Sequence, residues 1–434
     1  MQPINACWGI PGHLQFFEPS RAAALARLQG VNPATYARSR NALDGAVTGL
    51  SPYFTHGLLS LPEAARAVHH RHPLRFEDKL VFELAWREFF HHVWQHAASS
   101  GDAILQDMHG GLPWPGHYAH TVPADIREGR TGVPAIDSAV RALYATGYLH
   151  NHARMWLASY VVHLRKVHWR AGADWLYGHL LDGDLPSNHL SWQWVAATFS
   201  NKPYLFNAEN VLKYAPAAAR AAWASPGTVI DTSYEALEDL ARRRGDVGPE
   251  RGQHIGISEP LLTGTPAEGN DALIAENGAR FNALAHVLRG PLAIKTIAEA
   301  AHRPIELVHP WALSPRAAGS NAFRLGVIHL PAHAPWPWSA RRWGFVLQAM
   351  AQVSDAVWAG DLNSLDLAAS PVVTAQATLF PGYREALARV ATLAPAPRLL
   401  PSPGMAFCIS FIRSASGGII SEKKIGRASC RERV

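Results

Sequence analysis

The feature that most constrains this chain is a helical segment that has to bury an arginine. In LHNHARMWLASYVVHLRKV, residues 149–167, apolar side chains recur at steps of three and four, which predicts one buried helix face. Arg154 lies on another face beside Met155, so the helix is either buried on nearly all sides or carries a solvated polar face. A buried guanidinium needs a carboxylate partner, because an unpaired charge away from water is unfavourable. Asp182 and Asp184, in LLDGDLPSNHLSWQW, are the candidate partners.

The composition excludes a disordered or fibrous chain but says little about partners. The 434 residues are 48% hydrophobic, which allows two or three domains with sizeable cores. The formal charge is +6, and residues 421–434 supply half of it with five Lys or Arg against two Glu. Because IGRASCRERV, residues 425–434, resembles a translated sequencing adapter, we treat residues 421–434 as a non-native tail. A nucleic-acid partner must therefore be argued from local residues.

Cysteine usage and hydropathy predict a cytoplasmic protein. Outside the tail the cysteines are Cys7 and Cys408, which stand far apart in sequence. The chain does not start with a secretory signal, and its apolar runs are too short to span a bilayer. A reducing, cytoplasmic compartment is the expectation that follows from these features.

The chain divides into regions with different patterns. Residues 1–220 are mostly helical, with loops rich in Gly and Pro at 109–117 and 182–188. Residues 221–270 are predicted to form a helix that starts near Asp231 and then a linker from about 245 to 270. Residues 271–420 predict an α/β domain with a partly parallel sheet. Its predicted elements are strands at 305–311, 325–331 and 355–360 and a helix at 339–353.

A second predicted helix, residues 78–98, presents charged and aromatic side chains on one face. Glu83, Trp86, Arg87 and Phe90 are spaced to share that face. One interpretation is an aromatic stripe with an i,i+4 ion pair from Glu83 to Arg87. The other is a binding face, on which Trp86 stacks against a ligand and the charged groups contact its polar edges. The pattern alone does not choose between them.

Histidines on the same segment raise the question of a metal site. His92 and His96 have the i,i+4 spacing of a zinc-binding helix. No Glu, Asp or Cys follows at the distance that such a motif requires. The sequence therefore predicts no metal site here.

The order and spacing of these segments resemble a known family. Residues 132–194, GVPAIDSAVRALYATGYLHNHARMWLASYVVHLRKVHWRAGADWLYGHLLDGDLPSNHLSWQW, resemble the flavin-binding core of the DNA photolyase and cryptochrome family. Upstream, residues 36–60 and 82–94 resemble the phosphate-binding loop and the substrate helix of the same family. The resemblance covers nearly all of the first 215 residues.

The resemblance implies a helical domain that holds FAD in a positively charged cavity. In this family a light-excited, reduced flavin passes one electron to a cyclobutane pyrimidine dimer flipped out of DNA, the ring splits, and the electron returns. In cofactor chemistry of this kind, the protein binds and orients the cofactor and adjusts its electronic properties. A dimer is already poorly stacked and so costs less to extrude than an intact pair. The implied function is light-driven repair by a monomeric, FAD-dependent photolyase whose partner is DNA containing pyrimidine dimers.

The resemblance also assigns roles to individual residues. It places Arg154 and Asp182 as a pair beside the isoalloxazine ring and Asn188 opposite flavin N5, where a neutral amide tolerates the reduced, anionic flavin. The implied cofactor-binding set is Tyr36, Thr48, Gly49, Leu50, Ser51, Arg154, Asp182, Gly183, Asp184 and Asn188. The implied DNA-binding set is Glu83, Trp86, Arg87, Asn151, His152, Met155 and Trp194. Trp192 and Trp169 match the first two members of the electron-transfer chain that reduces the flavin.

The chain departs from the family pattern in several places. The phosphate loop reads AVTGLSP and lacks the family's arginine, which leaves its alignment open by one residue. Tyr148 replaces the family's tryptophan near the adenine, and His152 replaces an arginine as a weaker, pH-dependent phosphate contact. The third relay position has no tryptophan; Trp114 and Tyr118 are the nearest substitutes. Typical members begin with an α/β domain that holds an antenna chromophore, whereas this chain starts almost directly in the helical domain. An α/β-like domain without an identifiable motif follows the helices instead.

These departures leave three functions open. The retained lesion-contacting residues, together with Asn188, favour a pyrimidine-dimer photolyase. The altered phosphate loop, the incomplete relay and the absence of the usual antenna domain ahead of the helices favour a cryptochrome-like blue-light photosensory flavoprotein without repair activity. A flavoprotein fold that has lost its light chemistry is the third possibility.

Overall fold

The computed structural model describes residues 17–75, 77–97, 103–109, 118–250, 255–266 and 302–399. A helical region comes first, and a region built on a five-stranded parallel sheet follows it. The predicted fold class, a mainly helical domain followed by a smaller α/β domain, is confirmed. Within the described ranges, the helices are too short or too polar to cross a membrane. The tail, both cysteines and Trp114 lie outside the described residues.

The helical region begins with short, capped helices and continues with longer, buried ones. Ser20, Asn32 and Ser60 each accept a hydrogen bond from a first-turn amide of the helix that follows, which satisfies a donor that the helix itself leaves unpaired. The helices are α1 Arg21–Gln29, α2 Pro33–Ser39, α3 Ser51–Thr55, α4 Leu61–Arg71, α5 Lys79–Ala97, α6 Ala124–Arg127, α7 Pro134–Thr146, α8 Asn151–Ser159, α9 Trp169–His179, α10 Leu185–Ala196, α11 Ala208–Tyr214, α12 Arg220–Trp223 and α13 Tyr234–Arg242.

The segment predicted as one helix over residues 149–167 is divided in two. His150 caps α8, and the helix ends at Ser159 in a π-helical turn, Tyr160–Leu164. Lys166 then takes a positive φ of 49°, which ends the helical path. From His152 to Val167, every side chain except that of Arg154 is buried, as the apolar pattern predicts. The helix therefore runs through the core of the region.

Part of the predicted linker packs against the helical region. The helix predicted near Asp231 starts at Tyr234, with Ser233 as its cap. Further along, the Glu259 carboxylate accepts a hydrogen bond from Trp175 Nε1 at 3.0 Å and pairs with Arg127. The main-chain amides of Val247, Glu250 and Ile257 also donate to carbonyls of Leu164, Thr131 and Glu128. The described residues 245–250 and 255–266 are thus fixed to the helical region by specific hydrogen bonds.

The second region is a parallel sheet with helices on it. Its strands are β2 Ile305–Val308, β3 Phe323–His329, β5 Ala356–Gly360, β6 Val373–Gln376 and β7 Thr392–Ala394, in the order β5-β3-β2-β6-β7 with parallel pairing throughout. The central β3 is buried along its whole length, as expected for a parallel strand covered on both faces. A short antiparallel pair, β1 Leu262–Thr263 and β4 Trp338–Ser339, lies beside it. The helices are α14 Leu330–His333, α15 Ala340–Val353 and α16 Tyr383–Val390.

The two regions share one hydrophobic core. Tyr177, at the end of α9, stacks on Phe380 with ring centroids 6.5 Å apart and meets the edge of Trp336 at 5.7 Å. Leu181 and Leu185 belong to the same buried cluster as the central strands. The loop between α9 and α10 therefore lies where the sheet region meets the helices.

Candidate functional site

A cavity of about 280 Å³ opens between α5, α8 and α10. It brings together most of the residues that the family resemblance singled out from distant parts of the sequence. The lining members of those sets are Tyr36, Thr48, Ser51, Glu83, Trp86, Arg87, Asn151, Arg154, Met155, Asp182, Asp184, Asn188, Trp192 and Trp194. One wall carries the charged loop 182–184, which we call the inner wall. The opposite wall, formed by α5 and the start of α8, we call the outer wall.

Asp182 is held on the inner wall by an arginine and a serine. Arg154 Nη2 donates to both carboxylate oxygens, at 2.9 and 2.8 Å, and the Asp182 side chain is only 3% exposed. Ser51 Oγ donates to Asp182 Oδ2 at 2.6 Å. The prediction that Arg154 pairs with one of the two carboxylates is confirmed. Charge-assisted bonds of this kind fix the orientation of a buried carboxylate.

Asp184 has a separate set of partners. Arg87 Nη2 lies 3.3 Å from Asp184 Oδ1, and His91 Nε2 donates to the same carboxylate at 3.0 Å. Ser187 Oγ also donates to it. Burial alone would raise the pKa of Asp184, but Arg87 and His91 outweigh it and hold that pKa well below its usual range. The two carboxylates of the inner wall are separated in sequence by one residue and have different arginine partners: Arg154 for Asp182 and Arg87 for Asp184.

Asn188 lies in the first turn of α10. The predicted loop 182–188 ends earlier than expected, because Asp184 caps a helix that starts at Leu185 with Pro186 in its first turn. Asn188 Nδ2 donates to the Ala173 carbonyl at 2.9 Å. Since a carbonyl can only accept, the amide nitrogen must face Ala173, and the amide oxygen faces away from it. The helix thus presents a neutral amide of fixed orientation to the cavity.

The loop 181–184 is held from behind by the sheet region. Arg342, on α15, is fully buried and donates to the carbonyls of Tyr177 and Gly183 at 2.6 Å each. Its guanidinium lies 4.1 Å from the centroid of the Trp338 ring. A side chain on Gly183 would overlap both Arg342 Nη1 and the Tyr177 carbonyl, so only glycine fits there. The sequence carries no signal that would single out Arg342.

His56 also joins the loop to the sheet region. Its Nε2 lies 2.8 Å from the Leu181 carbonyl and its Nδ1 lies 2.7 Å from the Pro310 carbonyl. Burial and the charge of Arg342 lower the pKa of His56 to about 4, so the ring is neutral near pH 7 and donates to one of these carbonyls. Together, His56 and Arg342 make the sheet region part of the site's support.

The outer wall is mainly aromatic. The Trp86 ring meets the edge of Phe82 and of Phe89, at centroid distances of 6.0 and 5.4 Å, and lies 5.5 Å from Phe90. Glu83 does not pair with Arg87, because its carboxylate lies 3.5 Å from Arg40 Nη1. The i,i+4 ion pair is therefore not formed, and the face carries a separated carboxylate and indole, as the binding-face interpretation requires.

Part of the predicted phosphate-binding loop lines the cavity. Tyr36, Thr48 and Ser51 line the cavity. Gly49 has a positive φ of 60°, and Leu50 is only 2% exposed as the residue that precedes α3. Gly49 and Leu50 therefore shape the backbone, and the neighbouring hydroxyls are the groups that face the cavity.

Three other predicted residues do not line the cavity. His152 is 3% exposed and packs on Tyr214 at a centroid distance of 4.4 Å. The predicted phosphate contact of His152 is therefore wrong, because this side chain is buried in the core. Gly183 lies behind the cavity lining on Arg342. Trp169 is the first residue of α9, and the Trp192 ring packs on the same helix over Gly172, where a side chain would overlap it.

Comparison with known proteins identifies the helical region. Residues 80–222 match the family described as the FAD binding domain of DNA photolyase. This range contains α8, α9 and α10 and the loop 181–184, and so covers most of the cavity lining. Tyr36, Thr48 and Ser51 lie upstream of it.

Curated relatives agree with this match. A deoxyribodipyrimidine photo-lyase of Thermus thermophilus is 39% identical over 182 residues, 41% of this chain and 43% of the relative. One of Synechococcus is 34% identical over 192 residues, 42% of this chain and 39% of the relative. A cryptochrome DASH of Idiomarina loihiensis is 30% identical over 45% of this chain and 49% of its own length. The chain thus spans less than half the length of these relatives. A solved Synechocystis cryptochrome aligns at 24% identity and a TM-score of 0.42, over 54% of each chain.

The residues of the cavity fit a flavin. An isoalloxazine ring presents both donor and acceptor atoms along its edge, and the inner wall offers a guanidinium, two carboxylates and an oriented amide to them. Trp192 adds an aromatic surface next to these polar groups. The cofactor of this domain is FAD. Residues 80–222 are thus similar to the FAD binding domain of DNA photolyase, and the curated relatives are named photo-lyase or cryptochrome.

Proposed function

We propose that this protein is a light-driven, FAD-dependent photolyase that splits cyclobutane pyrimidine dimers in DNA. The observation that carries the proposal is that the outer wall faces the same cavity as the flavin-fitting inner wall. Glu83, Trp86, Asn151, Met155 and Trp194 line this one space together with Asn188. The two linked pyrimidines of a dimer flipped out of DNA would lie against aromatic surfaces and polar groups beside the cofactor.

The bound FAD would supply the light absorption and the electron that opens the dimer ring. The chain's own residues would bind and orient the two reactants. Arg154, Asp182 and Asp184 would hold the flavin edge, and Asn188 would place a neutral group where an anionic one would disfavour the reduced cofactor. Trp86 and Trp194 would stack on the flipped bases, since an aromatic face contributes about 1–3 kcal/mol for each stacked base.

The carboxylate of Glu83 would contact the pyrimidine edge. Its pairing with Arg40 at 3.5 Å keeps it away from Arg87, which instead neutralises Asp184. Asn151 Nδ2 lies 3.4 Å from Met155 Sδ at the start of α8, so both side chains are placed near the cavity. These contacts orient the outer wall before any ligand binds, and such preorganisation lowers the cost of binding.

The experiment that tests the proposal uses the purified, full-length protein. Bound flavin is first measured by its absorption, and the flavin is then reduced chemically. Single-stranded DNA that contains cyclobutane dimers is added and illuminated with blue light, and the restored pyrimidines are quantified. Undamaged DNA and a sample kept in the dark are the controls. The proposal predicts that dimers disappear only with light and reduced flavin.

Unchanged dimers in the presence of fully reduced, illuminated flavin would contradict the repair proposal. A light-dependent change in the flavin spectrum without repair would favour the photosensory alternative. The curated relatives carry both kinds of name, a photo-lyase and a cryptochrome, so the assay decides a question that similarity leaves open.

A further inference from the structure

The two tryptophans of the predicted electron relay have different surroundings. Trp192 is 2% exposed and lines the cavity, and its ring packs on Gly172 of α9. Trp169 lies three residues before Gly172 on the same helix and is 3% exposed. The Trp192 ring therefore packs on α9 within one helical turn of Trp169.

The indole N–H of Trp169 is bound to a carboxylate. Trp169 Nε1 donates to Asp107 Oδ1 at 2.6 Å, which is short for a hydrogen bond from nitrogen. Asp107 itself is exposed to solvent. A buried indole is thus joined through one hydrogen bond to a base that can exchange protons with water.

The segment that carries Asp107 is anchored by the glutamine between Trp192 and Trp194. Gln193 is fully buried; its Nε2 donates to the Ile104 carbonyl at 2.8 Å, and its Oε1 accepts from the Met108 amide at 3.0 Å. The His109 amide donates to the Thr198 carbonyl at 3.0 Å. The same turn of α10 that places Trp192 therefore fixes the position of Asp107.

We propose that Asp107 accepts the indole proton of Trp169 after Trp169 has lost an electron. The inference rests on the electron relay that belongs to the proposed function. Trp192 would supply one electron to the light-excited, oxidised cofactor, and Trp169 would then supply one electron to Trp192. The N–H bond of oxidised Trp169 then breaks, its proton forms an O–H bond on Asp107, and a neutral indolyl radical remains beside a carboxylic acid. Trp169 is oxidised and the flavin is reduced, each by one electron.

This proton transfer makes the charge separation last. A cationic indole radical is a strong oxidant that readily takes its electron back, whereas the neutral radical needs its proton again before the indole is restored. Tyr118 lies near the same carboxylate, since burial first and the charge of Asp107 second raise the pKa of Tyr118. Asp107 is therefore placed at the outer end of the described part of the relay.

Transient absorption after a light flash tests the proposal, because cationic and neutral indole radicals have different spectra. The full-length protein with bound, oxidised FAD is compared with Asp107→Asn, whose amide oxygen can still accept the hydrogen bond but is a much weaker base. The neutral radical should form at least roughly tenfold more slowly in Asp107→Asn, as expected for loss of a positioned base. Wild-type formation of the neutral radical should also slow in D2O. Asp239→Asn, which changes an exposed carboxylate on α13, is the matched control and should leave the kinetics unchanged.

Neutral-radical formation at the wild-type rate in Asp107→Asn would overturn the proposal. So would a wild-type protein in which no tryptophan radical appears after the flash. Neither result bears on dimer splitting, which is measured separately on wild-type protein after chemical reduction of the flavin and needs no relay. Failure of that repair assay with normal radical kinetics would overturn the proposed function and leave Asp107 as the proton acceptor.

Discussion

The inner and outer walls of the cavity are held in place by different kinds of interaction. Arg154, Arg87 and Arg342 fix the loop 182–184 through bonds to carboxylates and carbonyls, and arginine stays charged at every pH a protein meets. The outer wall depends on ring contacts around Trp86 and on His150, the cap of α8. The wall that fits the cofactor is thus held mainly by charged hydrogen bonds, and the wall proposed for the substrate is held mainly by aromatic packing and by a histidine cap.

We expect the largest effect from Arg342→Met, because this change removes the hydrogen bonds through which the sheet region supports the inner wall. Two buried carbonyls would lose their donors, and each unsatisfied group costs about 1–3 kcal/mol. We expect the free energy of unfolding to fall by about 3–5 kcal/mol, which is the range for breaking a buried charged contact. Flavin should be lost with it, because Gly183 lies between the two carboxylates of the inner wall. Chemical denaturation and flavin absorption measure the two effects.

Arg389→Met serves as the control for Arg342→Met. Arg389 donates to Asn363 at an exposed site of the sheet region, so its loss should change stability by less than about 1 kcal/mol. A stable Arg342→Met protein with normal flavin content would show that the sheet region does not support the inner wall.

The inner wall also makes a prediction about charge. Asn188→Asp replaces the oriented amide with a carboxylate of nearly the same shape. If Asn188 lies about 5 Å from the flavin ring, two like charges at an effective dielectric constant of about 20 repel by about 3 kcal/mol. The potential for flavin reduction should fall accordingly, and the reduced flavin should reoxidise faster. Asn363→Asp, at the exposed turn after Leu362, is a control that should leave the potential unchanged. An unchanged potential in Asn188→Asp would mean that this residue does not face the ring.

The sequence predicts the helices and the central ion pair well for a physical reason. Periodicity along the chain reports burial directly, and a buried Arg154 demands a nearby carboxylate whatever the fold. The strands predicted near residues 305, 325 and 355 are found for the same reason, since buried parallel strands are continuous apolar runs. Strands β6 and β7 are short and partly exposed, and their patterns are too weak to predict.

The remaining parts of the site depend on contacts between distant residues. Arg342 binds the carbonyl of Gly183, which lies 159 positions away in the sequence. The residues around Arg342 show no pattern that predicts an arginine bound to backbone carbonyls. His152 was predicted at a phosphate contact, yet the first turn of α8 packs into the core against Tyr214. Asp107 lies on a short segment without a recognisable motif. Its hydrogen bond to Trp169 is the observation that suggests a role for it. Tertiary packing decides all three.

The aromatic outer wall is expected to affect substrate and not cofactor. Trp86→Ala removes the stacking surface, so affinity for dimer-containing DNA should fall by about 1–3 kcal/mol while flavin stays bound. Trp94→Ala is the matched control, because Trp94 is a buried tryptophan on the same helix that lines a different cavity. Fluorescence anisotropy with damaged and undamaged oligonucleotides measures the difference. Flavin loss in Trp86→Ala alone would place this ring on the cofactor side.

One titratable group that supports the outer wall is His150, and His150→Asn isolates its contribution. His150 Nδ1 accepts from the His152 amide at 3.1 Å and its Nε2 donates to the Arg40 carbonyl at 3.0 Å, so the cap requires a neutral ring. Burial first, and then the charges of His152, Arg154 and Arg40, lower the pKa of His150 to about 3. The unfolded chain takes up this proton from about pH 6.5 downward, whereas the folded protein does so only near pH 3. Stability that is present at neutral pH is therefore lost as the pH falls between these values.

Between pH 7 and 5.5 this one group should lower the free energy of unfolding of the wild-type protein by about 1 kcal/mol. Other buried histidines with lowered pKa values, among them His163 and His309, contribute to the same acid slope. The difference between wild type and His150→Asn removes their share, and asparagine is itself a good helix cap, so the substitution keeps α8 capped. Denaturation curves at the two pH values should show a slope smaller by about 1 kcal/mol in the variant. Equal slopes would mean that the His150 cap does not contribute to the acid sensitivity of the protein in this range.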